Sequence, residues 1–561
     1  MQAKTFMKFS PFLRILLVIL ALEIVFDSFF FFKTTKLELD SAWYLAYFSL
    51  SALALLIIAV SITKKVWVYL KPYPKRSTIF VGGFILLLGL VFRLQQPFDH
   101  FIFHDEEANL HAAQMIRGGY LSRDCRFGVF EKGSLHCIQK AESIPIKKEG
   151  YPFILAGLSL LLGTNYLVIG IFLNIIFALG VAVLSFLIAR LLWSEVTGLL
   201  ALAMVSLLPL NIQWSATTSL EISALFFILL GVLFFILYLQ QKKYFLFFLS
   251  LLTFNFAAFT RPEVIILLPL VIIFFLINRL NSKVLLTKSV ILMSISMFLF
   301  SFVNVLLSVA TPSFYKGYIK YENVTSIYSL NFLKDNFVNV IQYNIQFKEP
   351  ILLFSFFGII VSLFTILIYK RMIAPKVFIL TLGLTLFVTH SSFYFGSYRT
   401  MGILHDRFLM MWMGTLSPLA AVGIASLVQL IKVNPKILIL GLSIAFSAYI
   451  QINFQKLFQP PPQKISFEER HAVLQFQKEN PDCLYVSPIT FREFSNGFSA
   501  IDPYLLKANQ KKELLLNQKC IVIFHSYQCG WEKDDICKEL LDKNFWRKLP
   551  YEGIETRQLI L

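Results

Sequence analysis

Long apolar runs recur along the whole chain, and they constrain its fold more than any other feature. Segments such as "TIFVGGFILLLGLVF" (residues 78–92) and "VLFFILYL" (residues 232–239) carry no charge. They cover much of the roughly 20 residues that a helix needs to cross a bilayer. Within a bilayer the backbone must satisfy its own hydrogen bonds, so the runs predict helices. We expect an α-helical polytopic membrane protein.

Hydropathy and the positions of charged residues predict a topology. The N-terminal residues Lys4, Lys8 and Arg14 place the start of the chain in the cytoplasm, because short cytoplasmic loops are enriched in Lys and Arg. The first apolar run is too long for a cleavable signal peptide. We count about 13 spans, near residues 11–32, 42–62, 78–93, 166–190, 197–211, 222–240, 244–260, 263–278, 289–310, 350–369, 377–395, 408–431 and 437–453.

Alternation from that start leaves the short basic loops inside and three longer regions outside, at 94–165, 311–349 and 454–561. We therefore expect a protein of the inner or plasma membrane whose functional face is extracytoplasmic. The predicted parts are two additional N-terminal helices (1–77), a transmembrane domain with two external loops (78–456) and an extracytoplasmic domain (457–561).

The cysteines test this topology independently. All six fall in regions predicted to be external, where disulfides persist. The local pairs Cys125–Cys137 and Cys529–Cys537 are our guesses, which leaves Cys483 with Cys520. Free external thiols remain the alternative, and metal binding is less favoured because no C-x-x-C spacing occurs.

The residues after Lys456 change in character. A "QPPPQ" linker is followed by a polar helical pattern, "FEERHAVLQFQKEN", and then by the strand-like segments "CLYVSP" and "KCIVIFH". A second helical pattern, "EKDDICKELLDKNF", precedes a final strand-like segment, "ETRQLIL". Alternating strands and helices predict a small α/β domain. No motif in it carries chemistry.

The net charge of +18 does not indicate nucleic-acid binding. The basic residues are dispersed into short loops, as membrane topology requires. The densest cluster, residues 63–76, lies between two predicted spans. No nucleic-acid partner is expected.

The segment "FHDEEANLHAAQMIRGGY" (residues 103–120) places three carboxylates in a row just beyond a predicted span. Residues 105–117 predict a helix, with Asp105 as a candidate N-cap and Gly118–Gly119 as its end. Capping alone explains acidic residues at a helix start. The alternative is a partly desolvated carboxylate at the external face, whose raised pKa suits a general base.

Five segments together resemble the integral-membrane glycosyltransferases of the GT-C superfamily. Within that superfamily, the chain resembles a group that comprises the protein O-mannosyltransferases, the lipid A aminoarabinose transferases and the rhizobial galacturonosyltransferases. The resemblance runs from about residue 78 to residue 431. It is carried, in this order, by "HDEEANLHAAQMIRGGY", "KKEGYPFILAG", "LPLNIQWSATTSLEISALFFILLG", "FTRPEVIILLPL" and "HDRFLMMWMGTLSPLAAVGIASL".

The resemblance implies a GT-C-like fold and an inverting transfer of sugar from a polyprenyl- or dolichyl-phosphate donor. The acceptor is a lipid, a glycan or a protein. Asp105 is our candidate for the base, or for an orienting carboxylate if the acceptor is itself a phosphate. Glu106 is the second candidate, for contact with the acceptor or a metal ion.

A cationic group must hold the lipid phosphate that leaves, and a bidentate arginine suits this best. Arg407, Arg261 and Lys148 are the candidates, each with a side chain that snorkels to the interface as the alternative. Glu221, matched by the resemblance to a residue facing the active site, is expected to line it together with His405 and Asp406. A carboxylate at the start of a helix is the alternative for Glu221.

The sequence leaves the cofactor unknown, with a divalent metal ion as one candidate. His104, His390 and His405 are candidate ligands, although a lone interfacial histidine is more often simply hydrogen-bonded. Glu23 and Asp27 lie within the first predicted span, where pairing between helices is the simpler explanation.

Two other classes of function remain open. A transporter is expected to have inverted repeats and helices broken near the midplane, whereas the polar residues here collect at one face. A polymerase or ligase of lipid-linked glycans also has many spans and a large external loop.

Overall fold

The fold is taken from a computed structural model of the full chain. The model describes residues 54–62, 67–70, 73–96, 104–117, 125–131, 134–140, 150–163, 165–278, 329–334, 336, 350–368, 372–392, 406–428, 434–454, 457, 464–487, 490–503, 505, 520–524, 546–550 and 556–559.

Helices dominate these residues, and most of them coincide with the predicted spans. Residues 54–62 are helical and belong to the span predicted at 42–62, whereas the spans predicted at 11–32 and 289–310 lie outside the described residues. The helices of the bundle and of the first loop are α1 (Arg76–Leu94), α2 (His104–Arg117), α3 (Gly150–Leu162), α4 (Tyr166–Leu192), α5 (Glu195–Ser206), α6 (Pro209–Ser215), α7 (Leu220–Gln241), α8 (Tyr244–Thr260), α9 (Leu267–Ile277), α10 (Pro350–Ile368), α11 (Ile373–Ser391), α12 (Asp406–Val428) and α13 (Pro435–Ile452).

Six of the described helices are long and apolar enough to cross a membrane, namely α1, α4, α7, α11, α12 and α13. The bent pair α5 and α6 makes a seventh when it is counted as one span. The shorter apolar helices of the described chain are α3, α8 and the segments Pro262–Ile277 and Phe354–Ile366. Of these, α3 lies in a region that the hydropathy count assigned to the first external loop. The prediction of a polytopic α-helical membrane protein is confirmed.

The span predicted at residues 197–211 is not straight. Its two halves, α5 and α6, meet at an angle of 57°. Pro209 begins α6, and Leu208 before it is extended, with φ −66° and ψ 119°. A residue that precedes proline is driven out of the helical region by its ring, so the helix ends and restarts here. The break carries residues 216–219 to one end of the bundle, where the candidate site lies.

Small residues allow the helices of the bundle to approach closely. Gly423 of α12 faces Gly358 of α10, and a Cβ on Gly423 would collide with the Gly358 carbonyl. Lipid gives helices no hydrophobic reason to associate, so close backbone packing of this kind holds membrane bundles together. α12 is buried throughout the segment that is long enough to cross a membrane, and it therefore forms the centre of the described bundle.

The tail forms a sheet that also contains two strands from the first loop. The order of strands is β2-β1-β4-β3-β5-β7-β6. Phe127 of β1 is paired antiparallel with Ile501 of β4, and β4 and β5 flank β3 in parallel. The strands and tail helices are β1 (Cys125–Glu131), β2 (Ser134–Lys140), α14 (Lys464–Glu479), β3 (Cys483–Val486), α15 (Thr490–Ser495), β4 (Ala500–Ile501), β5 (Cys520–Phe524), β6 (Trp546–Leu549) and β7 (Thr556–Leu559).

The sheet buries apolar residues on both faces. One face packs Val473 and Phe476 of α14 against Tyr485 and Phe524. The other face buries Phe127 of the first loop together with residues of β3, β4 and β5. The α/β character predicted for the tail is confirmed, while the helix predicted at "EKDDICKELLDKNF" lies outside the described residues.

Two disulfides tie this sheet together. One joins Cys125 to Cys137 across the β1–β2 hairpin, and the other joins Cys483 to Cys520 on neighbouring strands. Both pairings agree with the sequence-based guess. Cys529 and Cys537 lie outside the described residues.

Candidate active site

The candidate site is a cavity at one end of the bundle, beside the first-loop helix α2. About 230 Å³ of space, counted together with solvent at its open side, lies between the lining residues. Four residues singled out from the sequence line it, from four different segments of the chain: Glu106 of α2, Glu221 at the start of α7, Arg261 just after α8 and Arg407 at the start of α12. The other lining residues are Asn109, Trp214, Ser219 and Leu220.

A buried cluster of charges forms part of the cavity wall. Oε1 of Glu221 lies 3.1 Å from Nη1 of Arg261 and 3.6 Å from Nε of Arg407. The guanidinium groups of both arginines also lie over the ring of Phe408, 5.2 Å and 4.9 Å from its centre. One carboxylate and one aromatic face therefore hold two cations together. Neither arginine snorkels to solvent, because both are buried.

A second carboxylate, that of Glu263, also pairs with Arg261. Oε1 of Glu263 lies 2.5 Å from Nη2 of Arg261 and 3.6 Å from Nε2 of His390. Glu263 belongs to the 3₁₀ turn Pro262–Ile266, which begins immediately after Arg261. Arg261 is thus fixed between two carboxylates, and its planar fork of donors can serve both while it faces the cavity.

α2 is joined to the loop between α6 and α7 by three hydrogen bonds. Oε2 of Glu106 accepts from the backbone N–H of Thr218 at 3.1 Å, and the Thr218 hydroxyl donates to the Glu106 carbonyl at 3.3 Å. Nδ2 of Asn109 donates to the Thr218 carbonyl at 2.9 Å. Glu106 and Asn109 stand three positions apart, so they share one face of the helix. That face is turned toward the bundle.

The remaining candidates are placed less completely. α2 begins at His104, so Asp105 lies in the first turn of the helix. An N-cap precedes the first helical residue, whereas Asp105 is the second residue of α2, so the prediction of Asp105 as the N-cap is wrong by two positions. Asp406 is the first residue of α12. Lys148 and His405 lie outside the described residues.

Some contributors to the site carry no signal that sequence reasoning recognised. Trp214 and Ser219 reach the cavity only because the chain breaks before Pro209 and turns back. Asn109 is recognisable in hindsight, since it follows Glu106 by three positions in a predicted helix. Glu263 lies in the "TRPE" part of a segment that carries the resemblance, but the sequence gives no sign of its role, because its partner His390 is 127 positions away.

The described residues do not form a metal site. No group of three or more His, Cys, Asp or Glu side chains suited to a metal ion occurs among them. The oxygens of Glu221 and Glu263 face arginines, and His390 faces Glu263. This donor set does not fit a divalent cation, so no step below involves one.

Comparisons with known proteins identify the fold. No protein-family model matches the sequence, and no curated protein matches it. Among solved structures, ArnT from Cupriavidus metallidurans in the apo state matches with a TM-score of 0.53 and 12% identity, covering 86% of this chain and 97% of that one. The same protein bound to undecaprenyl phosphate matches with a TM-score of 0.52 and 12% identity, over 86% and 98% of the two chains.

A further match is the oligosaccharyltransferase of Archaeoglobus fulgidus in its apo form. It is 10% identical with a TM-score of 0.49, and the alignment covers 83% of this chain and 70% of that one. The conclusion about the fold rests on the ArnT structures, which are covered almost completely. ArnT is a lipid A aminoarabinose transferase and a member of the GT-C superfamily. The chain therefore has the same fold as ArnT.

Proposed function

We propose that the chain is a membrane glycosyltransferase that moves a sugar from a polyprenyl- or dolichyl-phosphate donor to an extracytoplasmic acceptor. The observation that carries this proposal is the buried pair Arg261 and Arg407 on the wall of one cavity with Glu106 and Glu221. Two guanidinium groups held side by side match the oxygens of a phosphate. The shared fold adds support, because one ArnT structure contains undecaprenyl phosphate.

In the proposed reaction, the bond between the sugar's anomeric carbon and the phosphate oxygen breaks, and its electron pair stays on the phosphate. Arg261 and Arg407 hold the developing charge, with Lys148 as a third candidate. An acceptor oxygen attacks from the opposite face, so the configuration inverts. If the acceptor is a hydroxyl, Asp105 takes its proton; if it is an ionised phosphate, Asp105 only orients it.

Glu221 and Glu106 have supporting roles in this scheme. Glu221 keeps the two arginines together when no phosphate is present. Glu106 fixes α2 against the Thr218 backbone, which sets the distance from the first turn of α2 to the arginines. His405 and Asp406 precede Arg407 directly, and we assign them to the lining of the acceptor side. The acceptor itself stays open between lipid, glycan and protein.

The test is the release of lipid phosphate by the purified chain in lipid nanodiscs, with a panel of polyprenyl-phosphate sugars and candidate acceptors. Arg261→Gln should abolish the release. A matched control is Lys376→Gln, since Lys376 is also a buried cation, lies near the opposite end of α11 from His390, and stacks on Trp193. Movement of the donor across the bilayer without cleavage would favour the transporter instead.

The orientation of the catalytic face is part of the proposal. The β1–β2 hairpin and the tail share one sheet, so they lie on the same side of the membrane. We expect that side to be extracytoplasmic, because the short basic loops then face the cytoplasm. Cysteines introduced at Ser134 and Asn509 should react with an impermeant reagent in intact cells. Reaction only after permeabilisation would reverse the topology.

A further inference from the structure

The face of α2 that does not meet the bundle contacts the tail. The carboxylate of Glu107 is fully buried, and its Oε2 accepts a hydrogen bond from Nε of Arg492 at 3.1 Å. Arg492 lies on the short tail helix α15 and is itself buried. The two residues stand 385 positions apart in the chain. A charged contact thus connects the helix that carries the candidate base to the last part of the protein.

A ring contact and a second carboxylate, that of Glu493, lie near this ion pair. The ring of His111, one turn after Glu107, lies 5.4 Å from the ring of Phe494. Burial lowers the pKa of His111 to about 4, so the ring is neutral at physiological pH. Glu107 and His111 lie on the same face of α2, four positions apart. The contact between α2 and α15 therefore combines one ion pair with a neutral ring contact.

α15 is in turn anchored to the sheet. The hydroxyl of Thr490 donates to the carbonyl of Cys125 at 2.6 Å, at the start of β1. Phe494 packs with Cys125 and Ala500 in one apolar cluster. Arg492 consequently projects from an element that is fixed at both ends, so its guanidinium presents a defined position to α2.

An ion pair in this place is a poor way to gain stability. Removing two charges from water costs several kcal/mol each, and apolar residues of the same size often stabilise a protein equally well. The pair instead fixes an orientation, because the hydrogen bond from an arginine N–H to a carboxylate tolerates little change in its angle. Successive residues of a helix are about 100° apart. Fixing Glu107 toward the tail therefore fixes the rotation that aims Glu106 at the cavity.

We propose that Arg492 is a positioning residue for the reaction, which holds α2 in the rotation that presents Asp105 and Glu106 to the donor. The inference rests on the proposed function for its kinetic consequence, but not for its structural one. A shift of about 1 Å in a reacting group is enough to cost about 100-fold in rate. Loss of the Arg492–Glu107 contact should therefore lower turnover while the arginines of the cavity still bind donor.

The experiment uses full-length protein in nanodiscs and the double variant Glu107→Gln with Arg492→Gln. Replacing both partners avoids the isolated buried charge that makes single replacements unfold. We expect kcat to fall about 10- to 100-fold, with the KM for donor changed by less than about threefold. Arg492→Lys, which keeps the charge but loses the planar fork, should fall between the double variant and the wild type.

A second readout is independent of any substrate. Amide hydrogen exchange of the peptide covering residues 104–117 should accelerate in the double variant. The control is Tyr485→Phe, which removes a hydrogen bond of 2.8 Å to the Asn480 carbonyl within the tail. It should lower the stability of the tail without changing exchange in α2 or the ratio of kcat to KM.

The outcomes separate the two proposals. Unchanged exchange in α2 and an unchanged kcat in the double variant would overturn the positioning role. Faster exchange in α2 without any glycosyl transfer by the wild type would support the mechanical link and reject the proposed function. An equal loss of kcat in Tyr485→Phe would show that Arg492 matters only for the stability of the tail.

Discussion

Glu106 and Glu107 are neighbours in the sequence, yet different regions of the molecule bury them. On the bundle side, Glu106 accepts from the backbone N–H of Thr218, and Asn109 of the same helix donates to the Thr218 carbonyl. On the tail side, Glu107 pairs with the guanidinium of Arg492. On the bundle side the charged residues are instead grouped around Glu221, at the cavity wall.

The difference suggests that the two regions hold α2 by different kinds of contact. On the bundle side, the contacts of α2 go to backbone groups of Thr218 and add no further charged residue to the cavity wall. A charged contact is tolerated on the tail side, where it lies away from the cavity lining. The run of three carboxylates thus divides in two: Glu106 and Glu107 connect α2 to the two regions, whereas a role of Asp105 in the reaction stays a prediction.

The largest effect is expected for Asp105, which neither contact uses in this scheme. Asp105→Asn should lower turnover by about 10²–10⁴, the usual contribution of a positioned base. Folding should change by less than about 1 kcal/mol, the value of a carboxylate at a helix start. Donor binding should persist. Full turnover in this variant would make Asp105 a helix-start residue only.

The two neighbouring glutamates should respond differently to the same replacement. Glu107→Gln leaves Arg492 buried with a charge that is no longer balanced by Glu107, and it should cost about 3–5 kcal/mol. Glu106→Gln keeps an oxygen for the Thr218 N–H and should cost about 1 kcal/mol. Thermal unfolding in the same detergent compares them directly. Equal losses of stability in the two variants would refute the distinction between a tail side held by a charge and a bundle side held by backbone groups.

On the bundle side, Arg407 tests whether the charge cluster serves the ligand. Arg407→Ala should weaken binding of polyprenyl phosphate by about 10- to 100-fold, since a charge-assisted hydrogen bond contributes about 1.5–3 kcal/mol. Arg407→Lys should weaken it less. Titration of the lipid phosphate into nanodiscs measures both. Unchanged affinity in the alanine variant would restrict Arg407 to packing on Phe408.

The smallest effect is a pH dependence of stability that comes from Glu493 of the tail, whose pKa the charge of Glu107 on α2 also raises. Burial raises the pKa of Glu493 from 4.5 to about 7, against the hydrogen bond from Gln477 and the charge of Arg492. The folded protein thus holds this proton more tightly than the unfolded chain, so the stability from Glu493 falls as pH rises from about 4.5 to about 7. Above that range it is level.

Glu493→Gln should remove this slope, because the amide does not titrate. The wild type should lose a few degrees in melting temperature relative to the variant between the two ends of the range. Other carboxylates titrate in both proteins and cancel in the difference. Parallel curves for the two proteins would show that the pKa of Glu493 is the same in the folded and the unfolded protein.

Much of the bundle follows from local sequence. Spans such as α4 and α7 are read from hydropathy, since the lipid environment makes length and apolarity decisive. The helical pattern after residue 103 and the hairpin disulfide Cys125–Cys137 are also local features. The break at Leu208 was missed because the apolar composition continues through Pro209 without interruption.

The contacts that were missed join distant parts of the chain. β4 is only two residues long, Ala500–Ile501, and has no pattern to recognise. The β1–β2 hairpin has its own disulfide and gives no sign that it joins the tail. Arg492 stands in a segment of ordinary composition, and its role depends on a glutamate 385 positions earlier. No periodicity encodes such a pairing.

The order of strands has a consequence for biogenesis. Phe127 pairs with Ile501, which follows it by 374 positions. At about 5–20 residues per second, the hairpin emerges roughly 20 to 75 seconds before its partner is synthesised. Throughout that time β1 presents an open strand edge, the kind of surface that invites wrong pairing. The Cys125–Cys137 bridge needs no distant residue, so it can close first and keep the hairpin intact until translation ends.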